Sequence, residues 1–211
     1  LVERLGERNV SPPLRNARFR EALRDYARYA AIAGHIVVDP GDVLPDDRVS
    51  VVFLRDPVER TLSQFSFMHT AHPFGRTPRS PAVNDVDRWL DVLAERERRA
   101  LNAQLDCIWA YGWRDGDPSP TPAQKIDAAK RALEQFDVIG LQEHFDASID
   151  RVAHRCGWTP PSAAPRANVT PVRLAQADLS DRALGRLHRY LEPDYEVYRH
   201  ALMLFGRQRH A

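Results

Sequence analysis

Short runs of aliphatic, largely β-branched residues alternate along the chain with longer stretches of helical periodicity. Val49–Leu54 (VSVVFL) is a continuous run, which is typical of a strand covered on both faces. Gly34–Val38 (GHIVV) and Asp137–Leu141 (DVIGL) predict two further short strands. Strands alternating with helices favour a parallel sheet in a layered α/β structure, where ligands bind beyond the C-terminal strand ends. Three residues at or just beyond these strands are therefore expected to neighbour a site: His35, Arg55 and Glu143.

The helices are predicted by apolar residues spaced three and four positions apart and by capping signals. Asp56 can cap the helix that follows the strongest strand, and Pro57 suits its first position, so a helix is expected over about Val58–His69. Thr121 and Gly157 are expected to cap the start of one later helix and the end of another. The other predicted helices are 1–9, 17–32, 85–105, 122–136, 145–157 and, as one or two helices, 178–205, with loops at 70–84, 112–122 and 160–171.

Composition and charge limit the class of partner. The 30 basic and 29 acidic residues leave a formal net charge of +1, so no general attraction to nucleic acid or an anionic membrane is expected. An anion site must therefore be local. No apolar run is long enough to span a bilayer and no signal peptide is recognisable, which favours the bacterial cytoplasm. Cys107 and Cys156 lack metal-binding spacing, so no metal site is expected; two free buried thiols are favoured, with one disulfide as the alternative.

The segment Phe53–Ser63 (FLRDPVERTLS) carries the strongest chemical signal. Arg55 leaves a buried strand at its C-terminal end, and Ser63 follows eight residues later within the next helix. A strand, an arginine and a helix in this order offer a charged fork and a hydroxyl to one phosphate group. A purely structural contact of Arg55 with Asp56 or Glu59 is the alternative, and the spacing alone leaves both open.

The string LRDPVERTLSQF, which begins at Leu54, resembles the 3′-phosphate-binding segment of the Golgi-type sulfotransferase family. This family includes the heparan sulfate 2-O-sulfotransferases and many bacterial relatives. The resemblance implies that Arg55 and Ser63 bind the 3′-phosphate of 3′-phosphoadenosine 5′-phosphosulfate. It also implies a P-loop-like, three-layer α/β fold, with a central, mainly parallel sheet flanked by helices.

Further segments resemble the same family, in the family's order. Gly34-His35 resembles its Gly-His segment, whose histidine is the proposed base, and histidine suits removal of a hydroxyl proton near neutral pH. Phe136–Phe145 resembles its late strand. The resemblance makes Asn168 and Thr170 of the Asn-Val-Thr segment cofactor-binding residues. Arg173, shortly after them, either contacts the cofactor or is exposed to solvent.

The acceptor site is predicted from a second helix motif and from aromatic residues. Asn102-Ala103-Gln104 resembles the family's Asn-x-Gln motif, in which one side chain would contact the acceptor or cofactor while the other supports packing. Trp109, followed by a polar loop, is a candidate for stacking on a sugar, with core packing as the alternative. A hydroxyl on a carbohydrate or other small molecule is the expected acceptor.

One family element has no counterpart here. The family's 5′-phosphosulfate loop, a Pro-Lys-(Thr/Cys)-Gly segment, would precede the helix that begins at Leu1, and the sequence contains no such segment. We expect a single sulfotransferase-like domain over 1–211 whose first strand and phosphosulfate loop lie upstream.

Two other functions stay open at this point. A non-catalytic binding protein on the same scaffold would retain the 3′-phosphate site without turnover. A P-loop kinase-like phosphotransferase would need a magnesium-binding aspartate at a strand end, a role that Asp56 could fill if it were not a helix cap. Transfer of a sulfuryl group, in contrast, rests on positioning and charge and needs no metal.

Overall fold

The computed structural model describes residues 48–70, 86–91, 101–109, 120–162 and 173–208. The chain forms two compact units. The described parts of the first are 48–50, 105–109 and 120–136, and those of the second are 51–70, 86–91, 101–104, 137–162 and 173–208. Several predictions fall outside the described residues: His35, Asn168 and Thr170, the strand Gly34–Val38 and the helices 1–9 and 17–32.

The second unit contains a parallel pair of strands, β1 (Val51–Leu54) and β2 (Val138–Leu141). Val51 lies opposite Val138 and Leu54 opposite Leu141, so the two strands end side by side. All four residues of β2 are buried, as expected for an aliphatic strand inside an α/β structure. Both predicted strands and their parallel pairing are confirmed, and the described residues form a mainly helical α/β structure with this small two-stranded sheet.

A close contact between side chain and backbone joins the two strands. Phe53 lies opposite Gly140 in the register. A Cβ atom on Gly140 would lie 2.6 Å from Cε1 of the Phe53 ring, so a larger residue at this position would require the ring to move. The ring is 40% exposed and packs at a tilt against Phe145, with 5.9 Å between the ring centroids.

Helix α1 (Pro57–Thr70) begins where the sequence predicts. The Asp56 carboxylate accepts the backbone N–H of Glu59 at 3.0 Å, which satisfies one of the unpaired donors at the start of the helix. Val58, Leu62 and Phe65 are fully buried on one face of α1 and pack in a core with leucines of the later helices. The capping prediction is confirmed, and this core holds α1 against the later helices.

The remaining helices follow the predicted order with shifted ends. In the described residues they are α2 (Ala103–Ile108), α3 (Pro122–Leu133), α4 (Phe145–Arg155), α5 (Asp181–Tyr190) and α6 (Glu192–Arg207), with short 3₁₀ turns at Gln142–His144 and Gln176–Asp178. Thr121 caps α3 through a capping box with Gln124. Gly157 follows α4 with φ = 67°, the left-handed conformation expected of a C-terminal glycine cap.

The prediction of one unbroken helix over 85–105 is wrong. Residues 86–91 and 101 are helical, but Asn102 is not, and α2 starts directly after it. The Asn102 amide donates to the Tyr190 carbonyl at 2.9 Å and accepts the Asp194 N–H at 3.1 Å. Asparagine side chains compete in this way for backbone groups, which disfavours the helix interior. Here the side chain satisfies the backbone at the junction of α5 and α6.

Cys107 and Cys156 form no disulfide bond, and both are intermediate in burial where buried thiols were expected. Among the residues that the structure describes, no helix combines the length and the apolar character needed to cross a membrane.

Candidate functional site

The candidate site lies where β1 and β2 end together. The chain continues from β1 into Arg55 and Asp56, and from β2 into Gln142 and Glu143. The Asp56 backbone N–H donates to Glu143 Oε1 at 2.9 Å, so the two segments are directly joined. The parallel pairing thus brings together residues that are 87 positions apart in the chain, at the edge of the sheet where α/β proteins bind ligands.

The backbone of Arg55 is held on its other side by Gln104. The Arg55 N–H donates to Gln104 Oε1 at 2.8 Å, and Gln104 Nε2 donates to the Arg55 carbonyl at 2.9 Å. One side-chain amide therefore supplies an acceptor and a donor to the same residue, as a neighbouring strand would. The main chain of Arg55 is thereby fixed although the strand has ended at Leu54.

Two tyrosines of helix α6 complete this support. The Tyr198 hydroxyl donates to Glu143 Oε2 at 3.0 Å, and the Tyr195 hydroxyl donates to Asp56 Oδ2 at 3.2 Å. Burial, together with the nearby carboxylates, raises the pKa of both tyrosines well above the usual value, so both remain protonated donors. We call Gln104, Glu143, Tyr195 and Tyr198 the anchoring group.

The Arg55 guanidinium itself is differently placed. Its side chain is 23% exposed, and Nη2 lies 3.8 Å from Glu59 Oε2, an ion pair too long to be a hydrogen bond. Among the described residues the guanidinium donates no hydrogen bond. Burial lowers the pKa of Arg55, an effect opposed by the charges of Glu143 and Asp56, and an arginine stays protonated under such a shift. Within the described part of the chain, the guanidinium thus contacts a carboxylate only through this long ion pair with Glu59.

Glu59 links Arg55 to a second arginine. Glu59 Oε2 accepts from Arg173 Nη2, and Glu59 Oε1 accepts from Gln176 Nε2 at 3.2 Å. Both guanidinium groups therefore lie beside the same carboxylate oxygen. Burial lowers the pKa of Arg173, and the positive charge of Arg55 lowers it further. We call the Arg55 guanidinium, Glu59, Arg173 and Gln176 the charged cluster.

Ser63 lies on the same face of α1 as this cluster. It follows Glu59 by one helical turn, since residues four positions apart are neighbours on a helix surface. One turn further on, Ser66 Oγ accepts the backbone N–H of Leu174 at 3.2 Å, so the chain after Arg173 runs along this face. Within the described residues the partly exposed Ser63 hydroxyl has no hydrogen bond. Of the three described residues predicted to bind the cofactor, Arg55 and Arg173 both lie beside Glu59, and Ser63 follows Glu59 by one turn on α1.

The residues predicted to bind the acceptor are placed less uniformly. Gln104 uses both polar atoms of its amide on the Arg55 backbone, and Asn102 uses both of its own on the α5–α6 junction. Trp109 belongs to the first unit, where Lys125 Nζ lies 4.6 Å from the centroid of its ring. Their roles toward an acceptor stay predictions, as do those of His35, Asn168 and Thr170, which lie outside the described residues.

Two parts of the site could not be predicted from the sequence as features of a binding site. The sequence indicates a contact of Arg55 with Glu59 only as a structural alternative, and that ion pair is present beside the open donors of Arg55. Tyr195 and Tyr198 carried no signal except that they lie three residues apart on one helix face, directed at the two carboxylates.

Within the described ranges, no group of three or more histidine, cysteine, aspartate or glutamate residues is arranged to hold a metal ion. Comparison with protein-family models, with curated proteins and with solved structures returned no match. The resemblance to sulfotransferases therefore rests on the sequence motifs alone.

Proposed function

We propose that this protein is a sulfotransferase that uses 3′-phosphoadenosine 5′-phosphosulfate and binds the 3′-phosphate with Arg55, Ser63 and Arg173. The observation that carries the proposal is the Arg55 guanidinium. It is half-buried at the end of a parallel strand, its backbone is held on two sides, and it donates no hydrogen bond among the described residues. An arginine fixed in this way, with its donors open, is suited to bind a phosphate group.

The neighbouring groups fit a phosphate monoester. Arg173 adds a second positive charge, and the Ser63 hydroxyl adds a neutral donor on the same helix face. A hydroxyl and two guanidinium groups match the several oxygens of a terminal phosphate. The rigid backbone of Arg55 reduces the entropy that binding must overcome, because the main chain is already ordered.

The remaining roles extend this site to the full reaction. When bound, 3′-phosphoadenosine 5′-phosphosulfate supplies the sulfuryl group that is transferred. Asn168 and Thr170 hold the cofactor, and His35 takes the proton from an acceptor hydroxyl on a carbohydrate or another small molecule. The two observed strands belong, in this proposal, to the central sheet of a three-layer, P-loop-like sulfotransferase fold.

The contacts of Asp56 argue against a kinase-like phosphotransferase. Its carboxylate accepts the Glu59 N–H and the Tyr195 hydroxyl, which is the environment of a helix cap. A magnesium ion would have to displace these contacts, since it requires an ordered set of oxygen ligands.

The proposal is tested by calorimetric titration with adenosine 3′,5′-bisphosphate and with ATP. We expect the bisphosphate to bind, and Arg55→Ala to weaken it at least about a hundredfold, because a charged hydrogen-bonding group is lost from a partly buried site. Arg199→Ala is the matched control, since Arg199 forms exposed ion pairs with Glu192 and Glu196.

Tight binding of ATP without binding of the bisphosphate would contradict the proposal. Equal losses for Arg55→Ala and Arg199→Ala would also contradict it, because the effect would then reflect net charge alone.

A further inference from the structure

Glu59 lies beside both arginines of the charged cluster, and we infer that its carboxylate competes internally with the anion that Arg55 and Arg173 bind. The inference rests on the proposed function, since it takes the 3′-phosphate as the competing anion. Phosphate binding then separates Arg173 from Glu59. Glu59 thereby lowers the affinity of the site and promotes release of the bisphosphate product.

The start of helix α1 directs Glu59 into this role. A glutamate in the third helical position ordinarily reaches back to the backbone N–H of the capping residue and completes a capping box. In this protein the capping residue, Asp56, donates that N–H to Glu143 Oε1 at 2.9 Å instead. The local partner of the Glu59 carboxylate is therefore already occupied, and the side chain joins Arg173 and Gln176.

Both oxygens of the Glu59 carboxylate are engaged by the cluster. Oε2 accepts from Arg173 and lies 3.8 Å from Arg55 Nη2, while Oε1 accepts from Gln176 at 3.2 Å. Carboxylate and phosphate oxygens bind a guanidinium through the same donors. A phosphate in contact with Arg55 and Arg173 would also lie close to the negative charge of Glu59, so the two anions compete instead of binding together.

The contacts of Glu59 are reversible. Its arginine and glutamine partners reach it through long side chains, and its own side chain is 26% exposed. Arg173 is 37% exposed, and solvent weakens ion pairs of side chains that are this accessible, so an incoming phosphate can replace its contact with Glu59. The Asp56 carboxylate accepts the Glu59 backbone N–H at 3.0 Å and so caps the helix. The start of the helix therefore does not depend on the Glu59 carboxylate.

The test compares Glu59→Gln with wild type by calorimetric titration of adenosine 3′,5′-bisphosphate and of adenosine 5′-monophosphate, which lacks the 3′-phosphate. We expect the bisphosphate to bind about tenfold more tightly to the variant, because no charged contact has to be broken first. The affinity for the monophosphate is expected to be unchanged. Glu192→Gln is the control, since it removes an exposed carboxylate that pairs with Arg199.

Glu59→Ala provides a second variant with the same expected direction. Alanine favours the helix, and Glu59 is not buried, so this variant is expected to fold as well. Unchanged or weaker bisphosphate binding in both variants, with wild-type melting temperatures, overturns the inference. An equal gain in Glu192→Gln also overturns it, since net charge would then be the cause.

Failure of the proposed function gives a different pattern. If wild type does not bind the bisphosphate, or Arg55→Ala binds it as wild type does, the phosphate site itself is wrong and the inference falls with it. If wild type binds and Arg55→Ala does not, while the Glu59 variants behave as wild type, only the role of Glu59 is excluded.

Discussion

Two glutamates flank the same strand end and differ in what they bind. Glu143 accepts from a backbone N–H and from the hydroxyl of Tyr198, which are neutral donors on rigid elements. Glu59 binds Arg173 and Gln176, which are long side chains, and forms a longer ion pair with Arg55. The anchoring group thus holds the main chain, whereas the charged cluster consists of contacts that a ligand can exchange. A binding site needs a fixed backbone, which preorganises its donors, and it also needs a charge that the ligand can reach.

Among the substitutions considered, loss of Gln104 from the anchoring group should reduce stability most. Gln104→Ala removes the partners of the Arg55 N–H and carbonyl, and we expect a loss of about 2 kcal/mol in the free energy of unfolding, together with weaker bisphosphate binding. Denaturant unfolding and calorimetric titration measure the two effects. Gln104→Glu is a second variant, which retains the acceptor for the N–H but sets a carboxylate oxygen against the Arg55 carbonyl, so it is not expected to recover the lost stability. Wild-type stability of Gln104→Ala would contradict the anchoring role.

Removal of the Tyr198 hydroxyl should have an intermediate effect that depends on pH. Tyr198→Phe is expected to cost about 1 kcal/mol at neutral pH, the usual size of one hydrogen bond. The pKa of Tyr198 in the folded state lies above the ordinary value of 10.0, so its contribution is fully present below about pH 10 and is lost as the pH rises beyond that value. Unfolding measured from pH 7 upward should therefore show a shallower alkaline decline in the variant. An identical decline in both proteins would exclude this role.

The smallest effect on stability is expected in the charged cluster. Arg173→Gln removes the main partner of Glu59, yet exposed ion pairs contribute about 0–1 kcal/mol, so the midpoint of unfolding should hardly change. Bisphosphate affinity should nevertheless fall several-fold, because Arg173 is one of the two arginines proposed to bind the phosphate. Titration and denaturant unfolding of one sample compare the two readouts. A large loss of stability without loss of affinity would place Arg173 among the anchoring residues.

Local signals in the sequence were sufficient for the strands and for the start of α1. An aliphatic run, an aspartate and a proline act within a few residues, so Val51–Leu54 and the Asp56 cap could be predicted. The break at Asn102 was missed because its cause is distant: the partners of its amide lie 88 and 92 positions away. Apolar periodicity carries no information on such contacts.

The same limit applies to the site. Arg55 and Ser63 were predicted as a pair because the motif places them on one strand and one helix. Gln104 was expected at the acceptor, but its amide meets the Arg55 backbone 49 positions away. Asp56 followed by Glu59 favours a capping box, in which the Glu59 carboxylate accepts the Asp56 N–H. In the folded protein the Asp56 N–H donates to Glu143 instead, a partner that only the tertiary structure determines.

The contact between Phe53 and Gly140 constrains the order in which this sheet can change. A side chain added at Gly140 would meet the aromatic ring at 2.6 Å, whereas a smaller residue at position 53 leaves the glycine sterically unaffected. A mutational path that replaces both residues therefore meets less strain if it begins at Phe53. The two positions, far apart in the chain but opposite in the register, are expected to vary as a pair and in that sequence of steps.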